Sequence, residues 1–168
     1  MDGVQYRALY DTGDFAGLEA AAKADPTDTG RSTQLAAMIE LGRLAEAGAL
    51  LETNRATTAL VCWTLAGAYR KQGDDTAANH WKARALEKMR AGTADSAAAA
   101  GRLANDTPLT VAEAKELVLE PQLKAVVLAA LAVQSPRTQT ELAELSRLLN
   151  VEREFPHHLV QRLTAPTQ

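Results

Sequence analysis

A chain of 168 residues, 46% hydrophobic and only 4% aromatic, holds one domain or a repeat array with a small extra lobe. Its apolar share comes largely from Ala and Leu, which favours close-packed helices over sheets. A net charge of −3 and a pI near 5.6 exclude a chain built as a whole for nucleic acid, and a single cysteine, Cys62, excludes an intrachain disulfide and a Cys-rich zinc site.

In chain order, the opening MDGVQYRALYD has neither the basic stretch nor the apolar core of a signal peptide. Val4 to Tyr10 and Phe15 to Ala24 are predicted as a first helix pair, joined at Gly13-Asp14. Asp25-Pro26-Thr27-Asp28-Thr29-Gly30 is rich in turn formers and is predicted as a break. Ser32 or Thr33 is the expected cap of a helix carrying Leu35, Met38, Ile39 and Leu41. Gly42 separates it from a helix over Leu44 to Leu51. Thr53-Asn54-Arg55 is the next predicted loop, and Thr57 or Thr58 opens the next pair.

That pair, Leu60 to Leu86, is the best-patterned part of the chain. Cys62, Leu65, Ala66 and Tyr69 recur at the i, i+3, i+4, i+7 spacing of a buried helical stripe. Gly73 ends the first helix, and Asp74 or Asp75 can cap the second. Ala78, Trp81, Ala85 and Met89 share one face of that second helix. Small residues at Ala66, Ala78 and Ala85 allow close helix approach, with Tyr69 and Trp81 filling the space beside them.

The segment Cys62-x2-Leu65-Ala66-x2-Tyr69, followed by Gly73-Asp74, resembles the tetratricopeptide repeat, whose first helix reads W-x2-L-G-x2-Y. The family's later A-x3-F stands here as Ala78-x3-Lys82, with Trp81 beside it as a source of aromatic bulk. The family's closing Pro is absent, since Met89-Arg90 occupies its place. Weaker copies surround Gly13 and Gly42. The turn glycines lie 29 and 31 residues apart, against about 34 in the regular repeat. The resemblance implies stacked helix pairs, a TPR-like α-solenoid, that bind a protein or peptide in a groove lined by first helices. An irregular helical domain with coincidental glycine turns is the alternative.

Beyond the array, Ala91-Gly92-Thr93-Ala94-Asp95 is small and polar. Ser96 to Ala104 is predicted as a short helix capped by Asp95, or else a linker. Asn105-Asp106-Thr107-Pro108 is another break. Thr110-x2-Glu113 is a capping box opening a helix with Ala114, Leu117 and Val118. Pro121 suits the start of an apolar helix, Gln122 to Val133, expected at the centre of the C-terminal lobe. The longest apolar run within it, Ala125 to Val133, has nine residues, too few to span a bilayer as a helix. Ser135-Pro136 breaks that helix, Thr140 to Leu149 is amphipathic, and Pro156 starts a last short helix to Leu163.

Four groups of residues are candidate sites. The stripe Leu60, Trp63, Gly67, Arg70 and Lys71, beside the core face of its helix, places an aromatic next to two cations. Such a surface suits a peptide, because Trp supplies area and Arg pairs with carboxylates; the other reading packs Trp63 against a neighbouring hairpin. From Arg70 to Arg90, six cations stand against three anions, a steering field for an acidic partner or a solvated face. His157 and His158 are adjacent and point apart on a helix, and nothing in the sequence ties His80 to them. Cys62, on the core face, is expected to act as a small apolar residue. The fourth group, Arg137 to Leu145 with Leu149-Asn150-Val151 and Leu159 to Leu163, resembles a bacterial winged-helix or helix-turn-helix segment. It departs from that pattern at Ser146-Arg147-Leu148 and at Phe155-Pro156, where Pro inside the would-be recognition helix would break it unless it lies in the first turn.

The expected architecture is all-α: three degenerate TPR-like hairpins over 1–91, a linker or short helix over 92–108, and a C-terminal helical lobe over 109–168. The expected function is a non-catalytic, cytoplasmic scaffold binding a protein or peptide, acidic if the cations take part. No cofactor, metal, catalytic residue or membrane association is expected. The alternative is a helix-turn-helix-type DNA-binding regulator acting through the C-terminal lobe.

Overall fold

The computed structural model describes residues 2–53, 59–105 and 109–119, together with Lys124, Val127, Thr140, Glu141, Ala143, Glu144 and Arg147. The described residues are all-α, with no strand among them. The helices are α1 (Gly3–Asp11), α2 (Phe15–Lys23), α3 (Asp28–Glu40), α4 (Leu44–Thr53), α5 (Ala59–Lys71), α6 (Asp75–Arg90), α7 (Ala94–Ala104) and α8 (Val111–Glu116). The chain divides into two compact units, Met1–Lys82 and Ala83–Gln168. Among the described residues no helix is long and apolar enough to cross a membrane.

In the first unit, helices are joined three times by the same link. Gly13, Gly42 and Gly73 have φ of 77°, 75° and 82°, a left-handed conformation that only glycine adopts without cost. Each glycine amide donates to the carbonyl three residues back, on Tyr10, Ile39 and Arg70. In the second and third links the next amide also reaches back, Arg43 to the Met38 carbonyl at 3.0 Å and Asp74 to Tyr69 at 3.1 Å. These are the paired bonds of a Schellman ending. In the first link the Thr12 hydroxyl stands between the two groups. It donates to the Leu9 carbonyl at 2.7 Å and accepts from the Asp14 amide at 3.4 Å.

The next helix then starts from the link. Asp14 accepts from the Gly17 amide and Asp74 from the Ala77 amide, satisfying first-turn donors of α2 and α6. Of the two candidate caps, Asp74 is the one used, and Asp75 is the first residue of the helix. Arg43 holds the matching position before α4 and has no side-chain oxygen to offer. Its guanidinium instead joins Glu46 on α4 and Glu19 on α2, both at 2.6 Å. Residues five positions after each glycine, Leu18, Ala47 and Ala78, are all fully buried.

Packing runs from α1 onto α2 and α3, from α2 onto α3, from α3 onto α4, and from both onto α5. Tyr6, Leu18, Ala22 and Ala37 form one core cluster, with Leu9, Tyr10, Phe15 and Ala21 packed against it. On α5, Cys62, Leu65 and Ala66 are buried and Tyr69 is half-buried. On α6, Ala78, Trp81, Ala85 and Met89 are buried. Both stripes have the faces their spacing predicts.

The connection between α2 and α3 departs from expectation. The α3 helix starts at Asp28, capped by Thr27, and not at Ser32 or Thr33. Thr27 is extended, at φ −74° and ψ 163°, and its hydroxyl accepts from the Gly30 amide. Thr29 and Gly30 are therefore helical. A Cβ at Gly30 would stand 2.4 Å from the Asp25 carbonyl, so glycine is what lets the entering chain lie against the first turn.

In the second unit, α7 is capped by Thr93, whose hydroxyl accepts from the Ser96 amide, and not by Asp95. Asp95 lies inside the first turn, and its carboxylate accepts from the Val118 amide at 2.9 Å. That bond takes an amide the predicted helix needed for its own ladder. The α8 helix accordingly stops at Glu116, Leu117 is extended, and Val118 is 80% exposed rather than part of a buried face. Thr110 does cap α8, through the Glu113 amide, and Ala114 is fully buried. Ser96 is buried and donates to the Met89 carbonyl at 2.6 Å. Of Gln122 to Val133, Lys124 and Val127 are described, both helical, and Val127 is fully buried.

Candidate functional site

All five residues of the predicted stripe belong to α5. Trp63 is half-buried, while Gly67, Arg70 and Lys71 are exposed. Leu60 lies in the first turn of the helix, and its side chain is outside the described set. On a helix, residues three and four apart are neighbours, so Trp63 sits beside Gly67, and Gly67 beside Arg70 and Lys71. Arg70 and Lys71 close the last turn of α5, where the helix dipole favours cations. The Arg70 Nη2 donates to Oδ1 of Asn79, on α6, at 3.3 Å. Gly67 leaves open space between the aromatic and the cations: apart from the helix's own backbone and the adjoining residues, no atom lies within 4 Å of where its Cβ would be.

The larger set of cations is spread over two helices. Arg70, Lys71, Lys88 and Arg90 are exposed, and Lys82 and Arg84 are half-buried. Cys62 is buried. His80 is tied to its surroundings by contacts the sequence did not signal. Its ring meets that of Trp81 edge-on at 5.1 Å, and its Nε2 lies 3.7 Å from Glu52. Among the described residues no three His, Cys, Asp or Glu side chains converge as metal ligands would. His157 and His158 lie outside the described residues. So does most of the helix-turn-helix-like segment, of which only Thr140, Glu141, Ala143, Glu144 and Arg147 are described.

Two polar contacts in the first unit join residues that sequence reading did not connect. Tyr6, 3% exposed, donates its hydroxyl to Asp25 at 2.7 Å. Burial, and then that hydrogen bond, push the Tyr6 phenol from its ordinary 10.0 up to about 12. Hydrogen bonds from Thr27 and then from Tyr6 hold the Asp25 carboxyl at about 2, below its ordinary 3.8. The second contact is the Arg43 bridge. The hydrogen bond from Arg43 lowers the Glu46 carboxyl from its ordinary value. Both contacts join separate helices or links, and neither borders the Trp63 stripe in sequence. The second unit contains an apolar hollow of about 320 Å³ lined by Ala98, Ala99, Leu109 and Leu117, with the Arg102–Glu113 ion pair, at 3.1 Å, and Glu116 also lining it.

Comparisons with known protein families, with curated proteins and with solved structures return no match.

Proposed function

We propose that the three helix pairs are degenerate tetratricopeptide-like hairpins and that the chain is a non-catalytic, cytoplasmic scaffold that binds a protein or peptide along the α5 face. The observation that carries this reading is the α5 stripe. Trp63 keeps part of its surface in solvent although Trp is usually well buried, and two exposed cations share its side of the helix. An amphipathic aromatic with a neighbouring Arg is the composition of a binding anchor. The repeat reading draws further support from the three links, which share one backbone conformation and bury the residue five positions later. Binding would act through shape and charge on a surface formed before the partner arrives, with no cofactor.

The test compares affinity capture from a native lysate by the wild-type chain and by Trp63→Ala, with circular dichroism on both. Specific partners retained by the wild type and lost by a folded Trp63→Ala variant are the expected result. Equal capture by both would remove the α5 face from the account.

A further inference from the structure

In the second unit, two ties run from α7 to α8 and the chain just after it. The Asp95 carboxylate, in the first turn of α7, accepts from the Val118 amide at 2.9 Å. Further along α7, Arg102 pairs with Glu113 of α8 at 3.1 Å. The hollow of about 320 Å³ has its walls between these ties. On α7 the wall is Ala98 and Ala99, which carry only methyl groups and so leave room. Opposite stand Glu116 and Leu117, the latter extended beside the amide that Asp95 takes, and Leu109 completes the apolar lining. With both walls pinned, the hollow is formed before any ligand enters, which lowers the cost of binding.

We propose that this hollow binds a small apolar cation, an aryl or alkyl ammonium of about two rings in size. Its hydrocarbon lies against Ala98, Ala99, Leu109 and Leu117, and its ammonium lies at the Glu116 carboxylate. The hollow and the α5 stripe belong to different units, so neither reading depends on the other.

Volume sets the size. A cavity of about 150 Å³ holds benzene, and ligand pockets begin at about 300 Å³, so the hollow suits a bicyclic hydrocarbon. Charge sets the sign. Three ionic side chains line the hollow, Arg102, Glu113 and Glu116, and the first two neutralise each other. Glu116 is exposed and enters no ion pair or side-chain hydrogen bond among the described residues. Its sequence neighbour Lys115 is bonded to Glu144, which Arg147 also approaches at 3.9 Å. One cation against two carboxylates leaves the lining negative. A ligand carboxylate would have to draw Arg102 from Glu113 and would meet Glu116 as a like charge. An ammonium meets a carboxylate that gives up no partner.

The experiment is a proton NMR titration of the intact chain, following the naphthyl resonances of three probes of one shape: naphthylmethylammonium, naphthylmethanol and naphthoate. The ammonium is expected to bind about fivefold tighter than the alcohol, the scale of an exposed ion pair, with the carboxylate weakest. Glu116→Gln should bring the ammonium and the alcohol to equal affinity. Ala98→Leu fills the hollow from an exposed position and should weaken both about tenfold with an unchanged helical spectrum. Equal affinities for the three probes, tightest binding of the carboxylate, no binding up to about 1 mM, or an ammonium that ignores Glu116→Gln each overturns the proposal. So does unchanged binding to a folded Ala98→Leu variant. If that variant loses its helical spectrum, Glu116→Gln decides alone, because its side chain is exposed.

Discussion

The indole of Trp81 lies over the bare backbone of Gly48, where a Cβ would stand 3.0 Å from Cζ2 of the ring. The contact joins α6 to α4, so the aromatic that fills the third helix pair is seated by a missing side chain on the second. It accounts for Trp81 as the bulky buried residue of its helix. It also gives two helical glycines opposite roles, which mutagenesis can separate.

Gly48→Leu pushes a side chain into the indole and is expected to cost about 1–3 kcal/mol by overpacking. Gly67→Ala meets nothing and is expected to stabilise by about 0.5–1 kcal/mol through helix propensity. Urea melts of the two variants should shift in opposite directions. A destabilised Gly67→Ala would mean that α5 does not tolerate a side chain at that position.

Ala78 is fully buried at the start of α6, at the position matching Leu18 and Ala47. Ala78→Leu is expected to cost about 1–3 kcal/mol. An unchanged melting midpoint would contradict the burial of this face.

Gly30→Ala is expected to lower stability by about 1–3 kcal/mol, because the new methyl would meet the Asp25 carbonyl, which a flexible side chain cannot relieve. Calorimetry would show the loss. A neutral result would mean that the first turn of α3 shifts without penalty.

The Tyr6–Asp25 bond makes a pH prediction. Asp25 has a folded pKa near 2 against an ordinary 3.8, so its contribution is present above about pH 4 and is lost as pH falls towards 2. Tyr6 is raised from 10.0 to about 12, so its contribution is present below about pH 10 and is lost as pH rises towards 12. The stability gap between wild type and Tyr6→Phe should therefore be widest between these limits and narrow on both sides. Urea midpoints measured across the pH range would check it, and a gap independent of pH would exclude the bond as its source.

Local chemistry made much of the fold legible. Gly13, Gly42 and Gly73 were readable as helix ends because a left-handed residue is needed there, whatever surrounds it. The buried stripes of α5 and α6 followed from helical spacing alone. The starts of α3 and α7 were misplaced because several Ser, Thr and Asp residues compete at each, and sequence does not rank them. Thr27 won where Gly30 admits the entering chain, and Thr93 won where Asp95 is held by Val118. The candidate stripe was legible as five residues at helical intervals. Its exposure was not, because whether Trp63 is sealed or half-open depends on what packs beside α5.

The sequence by itself determined an all-α chain, three glycine links and the apolar face of each best-patterned helix. Each of these depends on hydrogen bonds and side chains within a few residues of one another. Only the tertiary structure decided that Trp81 rests on Gly48, that Arg43 reaches Glu19, and that Tyr6 reaches Asp25. These pairings join side chains brought together by packing, between residues as far as 33 positions apart. No spacing rule along a single helix encodes them.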